Sequence, residues 1–225
     1  MSRPSVAVVI PWRPSPGRER NLAATLASAR QALGEVDVFL ADSHADPFSR
    51  AGSRNAGVWK AKADVLVVLD ADAIVESDPL HAAIKAAADG KLHLPYGACR
   101  LLTRDGSEAV IAGTAPHLAA SWYVNTQSVG GCAVVTYETW AAVGGWDERF
   151  VGWGFEDVAF WASVDTLYGT VRHDGTLHDL WHPDGRGIGT PLYAAGKALC
   201  DRYTSAQGNR HAMRALIEER ACALA

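Results

Sequence analysis

The stretch VLVVLDADAIV (65–75) decides how the chain is read. Five branched apolar residues in a row make a strand buried on both faces, the pattern of a parallel sheet covered by helices. Two aspartates, Asp70 and Asp72, follow at once. If the chain stays extended there, alternation sends both carboxylates the same way, into the crevice beyond the strand's carboxyl end. Two like charges that close repel, so a shared cation is needed. A hard divalent ion with oxygen ligands, Mn²⁺ or Mg²⁺, suits them, with substrate phosphates completing the octahedron. The plainer alternative is a solvated turn in which one aspartate caps a helix.

Working outward, SVAVVI (5–10) and VDVFL (36–40) read as further buried parallel strands. The Ala-rich segments 18–33 and 50–63 between them read as helices. Strand–helix–strand–helix–strand implies right-handed crossovers and an open, mostly parallel, Rossmann-like α/β sheet flanked by helices. Ligands in such sheets bind beyond the strands' carboxyl ends. That rule selects Pro11, Trp12 and Arg13 after the first strand, Asp42 after the second, and Asp70, Ala71 and Asp72 after the third.

Past residue 78 the pattern loosens. DPLHAAIKAAADG (78–90) reads as a helix with Asp78 as N-cap and Gly90 as its stop. Segment 91–130 is mixed; CAVVTY (132–137) is a strand, and a short helix follows it. TVRHDGTLHDLWHP (170–183) reads as a hairpin turning at Asp174-Gly175. The end, 191–225, reads as two helices parted near Gly208. We expect one domain over 1–225, with a first half holding the three strand ends and Asp70–Asp72 (1–90), a second half holding Glu156 and Asp157 (91–190), and C-terminal helices.

Composition bounds the function. Of 225 residues 48% are hydrophobic, and 21 Lys plus Arg against 25 Asp plus Glu gives a net charge of −4. That balance argues against a protein built mainly to grip nucleic-acid backbones. Four scattered cysteines form no C-x-x-C pair and fit reduced thiols. The apolar runs are too short to span a bilayer, and the N-terminal stretch lacks a signal-peptide pattern, so a cytoplasmic location is expected.

In VGWGFEDVAFW (151–161), Glu156 and Asp157 sit among aromatics, and desolvating a carboxylate is costly. As helix neighbours they diverge by about 100°, so they should do different jobs. Both could cap that helix, whose dipole favours acids. Trp146 and Trp153 could cover the apolar face of a sugar or simply pack in the core. Gly152 and Gly154 would let the second indole swing as a lid.

The chain resembles GT-A type glycosyltransferases. VAVVIPWR (6–13), Asp42 in FLADSHAD (39–46), SRAGSRNAG (49–57) with Arg54 and Asn55, and the D-x-D of 70–72 resemble the family 2-like group in order and spacing. GGWDERFVGWGFED (144–157) resembles the GGfDe-x-f-x-GWGgED segment of galactosyltransferase and N-acetylgalactosaminyltransferase families, with Phe155 where Gly is common. The resemblance implies transfer of a sugar from a nucleotide-sugar donor, most simply a UDP-sugar, with Asp70 and Asp72 on the metal. It makes Asp157 the base of an inverting reaction and gives Glu156 to acceptor orientation or loop support. His182 becomes a third metal ligand, with His178 and His173 as alternatives. Asp42 is placed near the nucleobase. Arg13 and Arg54 would touch diphosphate or nucleobase, or pair with Asp42 or Asp70. The acceptor is a hydroxyl on a protein, glycan, small molecule or modified nucleobase. Rival readings are a non-catalytic binding module on the same fold and a phosphohydrolase or nucleotidyltransferase using Asp70 and Asp72.

Overall fold

A computed structural model describes residues 4–183 and 187–223, so the last two residues of the 191–225 segment lie outside it. The first half alternates as the sequence implies: β1 (Val6–Pro11), α1 (Glu19–Leu33), β2 (Asp37–Ala41), α2 (Arg50–Ala61) and β3 (Val65–Leu69). Ser49 caps α2, its hydroxyl accepting from the Gly52 amide. A Cβ at Gly57 would stand 2.4 Å from Val9 Cγ1, so glycine lets α2 press against β1.

The next elements are β4 (Ala73–Val75), α3 (Ser77–Ala86), β5 (Leu92–Leu94), β6 (Ala98–Leu102), α4 (Arg104–Ile111), β7 (Ser121–Asn125), β8 (Cys132–Thr136) and α5 (Tyr137–Ala142). Then come α6 (Glu156–Leu167), β9 (Thr170–Arg172), β10 (Thr176–Asp179), α7 (Pro191–Ala206) and α8 (Arg210–Ala223), the last two parted at Gly208. Asp78 falls in the first turn of α3, whose cap position is Glu76, so it supports the dipole without capping.

A six-stranded sheet runs β2-β1-β3-β8-β5-β9, in which β8 alone is antiparallel to its neighbours. A four-stranded sheet, β4-β10-β6-β7, lies beside it. The Asp70–Asp72 triplet bridges the two, since β3 belongs to the first and β4 to the second. The expected hairpin at Asp174-Gly175 does not form. β9 joins β5 in the first sheet, and β10 inserts between β4 and β6 in the second. Asp-Gly is a local turn signal, and here tertiary pairing decides which strands meet.

Trp146 is 2% exposed and stacks on Phe160 of α6 at 3.9 Å between ring centroids. It belongs to the core, which removes it from the sugar-covering role. Asn55 of α2 fixes its place. Its amide nitrogen donates to the Trp146 carbonyl (2.8 Å) and Glu148 Oε1 (2.9 Å). Its oxygen accepts from the Trp146 amide (2.9 Å) and Trp140 Nε1 (3.3 Å). Gly145, at φ +71°, leaves room for that oxygen, because a Cβ would lie 2.5 Å from it. Asp147 accepts from Arg149 and from the Tyr203 hydroxyl (2.8 Å), and Arg149 reaches Glu219, tying the loop to α7 and α8. Among the described residues no helix is long and apolar enough to cross a membrane.

Asn55→Ala strands three buried hydrogen-bonding groups, the Trp146 carbonyl and amide and Trp140 Nε1, that water reaches poorly. Urea unfolding should show a loss of about 2–4 kcal/mol.

Candidate functional site

A cleft of about 890 Å³ opens where β1 and β3 end, between the two sheets and the start of α6. Pro11, Trp12, Arg13, Asp70, Ala71, Asp72, Trp153, Glu156, Asp157 and His182 all line it. Asp42 and Arg54 act on it from behind, through partners.

Residues 70–72 form a turn closed by the Ala73 amide donating to the Asp70 carbonyl (3.1 Å). The chain is therefore not extended there, and the two carboxylates take different partners. Asp70 Oδ1 accepts from Arg54 Nη2 (2.7 Å), whereas Asp72 Oδ2 meets the Arg18 guanidinium.

Arg54 is 1% exposed and holds three carboxylates. Beside Asp70 these are Glu156 Oε1 (3.0 Å) and Asp157 Oδ1 (2.8 Å). Burial alone would weaken its charge, but Asp157, Asp70 and Glu156 together raise its pKa. Burial raises the Asp70 carboxyl, yet Arg54 and Arg50 outweigh it and leave the group below the usual range. Glu156 is enclosed, whereas the Asp157 side chain keeps 24% of its surface open. Burial, then Glu156 and Asp70, push the Asp157 carboxyl up to about 7 against the pull of Arg54. Gly130 makes the approach possible, because a Cβ there would sit 2.7 Å from Asp157 Oδ2.

On the other wall, ligand atoms of Asp72, Asp179 and His182 lie within 4.8 Å of one another. Asp179 ends β10, whose neighbour β4 starts directly after Asp72; the Leu180 amide donates to the Asp72 carbonyl (2.8 Å). Burial first, and then Asp72 and Asp70, push the Asp179 carboxyl well above its ordinary value. Such a pair calls for a cation. His182 Nδ1 donates to the Pro183 carbonyl (2.8 Å), which leaves Nε2, 3.5 Å from Asp72 Oδ2, as the free lone pair. Two carboxylates and one imidazole fit Mn²⁺ or Mg²⁺ with open positions.

Asp70 stands outside this donor set, because Arg54 already neutralises it. Asp179 went unnoticed in the sequence; its signal was an acid three residues before His182. The alternatives fall away by geometry. His178 alternates with Asp179 along β10, and neither of its ring nitrogens has a hydrogen-bond partner. Burial, with Arg100 and His117, lowers its pKa to about 4. His173 bonds His93 (3.0 Å) instead.

Arg13 takes the pairing role: it grips Asp42 through two bonds of 2.7 Å and lies over the Phe48 ring. Trp153 lines the cleft under Arg50, whose guanidinium is 5.9 Å from its ring centroid. Gly152 and Gly154, at φ +87° and +89°, flank that indole. Phe155 keeps a left-handed conformation, φ +75°, that glycine adopts freely. Its ring meets Tyr193 at 5.1 Å and packs over Gly196, so α7 holds the strained residue in place.

Residues 119–173 match the family model for the N-terminal domain of galactosyltransferase. No curated protein sequence matches the chain. The catalytic domain of Drosophila β1,4-galactosyltransferase 7, solved with xylobiose, aligns at a TM-score of 0.55 and 16% identity, over 87% of this chain and 80% of that one. GalNAc-T7, solved with UDP, GalNAc and Mn²⁺, aligns at 0.58 and 12% identity over 97% of this chain, which spans 55% of that one. These likenesses show the GT-A fold.

Arg54→Met leaves three carboxylates without their buried cation, a change that costs about 3–5 kcal/mol. The deficit should be greatest at neutral pH, where the acids must ionise, and should narrow as pH falls and they take up protons. Urea unfolding at pH 7.5 and pH 5 reads both.

Proposed function

From the GT-A fold shared with these glycosyltransferases, we propose that the chain is a metal-dependent glycosyltransferase. It moves a sugar from a UDP-sugar to a hydroxyl acceptor with inversion at the anomeric carbon. The observation that carries this reading is a single cleft receiving both the half-open Asp157 and the donor set of Asp72, Asp179 and His182.

The acceptor hydroxyl gives its proton to the Asp157 carboxylate as its oxygen attacks the anomeric carbon. The bond from that carbon to the diphosphate oxygen breaks, and the electron pair leaves with the nucleoside diphosphate. Asp72, Asp179 and His182 would hold Mn²⁺ or Mg²⁺, which would supply positive charge to that leaving group. GalNAc-T7, with UDP, GalNAc and Mn²⁺ bound on the same fold, supports both the donor class and the ion.

The protein residues divide the rest of the work. Arg54 occupies Glu156 and orients Asp157, so one acid supports the helix start and its neighbour meets the substrate. Raised towards 7, Asp157 is a stronger base than an ordinary carboxylate and is still ionised in mildly alkaline solution. Trp153 offers a flat apolar face to the sugar and excludes water. Asp42 keeps Arg13 and Phe48 in place at the nucleotide end.

UDP release from UDP-hexoses should require Mn²⁺ or Mg²⁺ and vanish in Asp72→Ala. Asp157→Asn should lower kcat by about 10²–10⁴-fold while UDP binding, followed by calorimetry, persists. Full transfer by that variant would remove Asp157 as the base. The sign of the pH dependence follows from the acid: protonation disables the base, so kcat should fall as pH drops through about 7. A flat profile from pH 5 to 8 would contradict the assignment.

A further inference from the structure

Asp72 is buried at the mouth of the donor set, and its carboxylate is not left to water. The Arg18 guanidinium reaches it across the cleft from the first residue before α1. That arginine is poorly committed elsewhere. Its Nε is buried without a hydrogen-bond partner, and its side chain is 28% exposed along the cleft wall. The backbone before it, Pro14–Gly17, ends in Gly17 at φ +82° with open space around its missing Cβ. Arg54 differs in every respect, being enclosed and bonded to three acids.

We propose that Arg18 is an exchangeable counter-ion of the metal site: it competes with the divalent cation for Asp72 and, once displaced, takes the donor's diphosphate. Two cations cannot share one carboxylate oxygen at hydrogen-bond range without repulsion. Metal binding through that oxygen, the one 3.5 Å from His182 Nε2, must therefore first break the Arg18–Asp72 bond. A diphosphate gives the released guanidinium a doubly accepting partner, which suits its unused Nε and the Nη2 freed from Asp72. Metal and nucleotide then favour each other's binding through one side chain, and the coupling is reciprocal. The idea rests on the metal and nucleotide reading of this cleft but makes a separate demand on Arg18.

The test is calorimetric titration of Mn²⁺ into the full chain with and without saturating UDP, needing no acceptor and no turnover. Arg18→Met should bind Mn²⁺ roughly tenfold more tightly than the natural protein when UDP is absent, as expected for losing a charge-assisted competitor. The gain in Mn²⁺ affinity that UDP confers should shrink in the same variant. Arg18→Gln should show the same order and covers the case in which the Met variant folds poorly. Arg50→Met is the control, since Arg50 lines the cleft without touching Asp72. Its Mn²⁺ affinity should rise no more than about threefold, the share left to long-range charge. Equal gains in the Arg18 and Arg50 variants, or no gain in Arg18→Met, would overturn the exchange while leaving the metal site standing. Failure of Mn²⁺ to bind any of the proteins would overturn the metal site and the exchange together.

Discussion

The Arg54 guanidinium is the interaction on which the rest depends. It is enclosed, and it draws Asp70 from the end of β3 and Glu156 and Asp157 from the start of α6 onto one charge. Four ionised groups could not be buried there separately. Their shared attraction to one guanidinium ties the end of β3 to the start of α6. The next residue, Asn55, repeats the device with a neutral amide, locking Trp146 and Glu148. The Arg-Asn pair is thus a seam: one residue aligns the carboxylates, and the other anchors the loop that leads to them.

The two aspartates of the triplet illustrate how position divides labour between like residues. Asp70 lies where α2 can reach it and becomes structural charge. Asp72 lies two residues on, beside β4 and β10, and its carboxylate meets Arg18 and His182. The turn at 70–72 causes the split, and it exists because the chain must leave one sheet and enter the other.

Much of the first eighty residues was legible because each strand and helix there follows from its own residues. Buried runs such as VLVVL and the serine cap at 49 carry the pattern locally. What stayed hidden depends on pairing across long separations. Asp179 joins Asp72 only because β10 lies between β4 and β6, and no feature of TLHDLWHP says so. The same strand choice undid the hairpin expected at Asp174-Gly175. Trp146 was ambiguous because neighbouring glycines fix a backbone turn but not whether the indole faces solvent or α6. Arg18 carries no signal in the sequence, since its partner lies 54 positions away.

Phe155 shows what a departure from a glycine pattern requires. At φ +75° a bulky side chain is strained, and such a residue persists only where its surroundings compensate. The compensation is contact with Tyr193 and the clearance left by Gly196, both on α7. The helix start that presents Glu156 and Asp157 is therefore coupled to the C-terminal helices as well as to Arg54. In a glycine-bearing chain the turn could form without that support, and α7 would be free to move independently. Here the start of α6 and α7 are held together through Phe155, so residues far from the cleft constrain the acid that faces it.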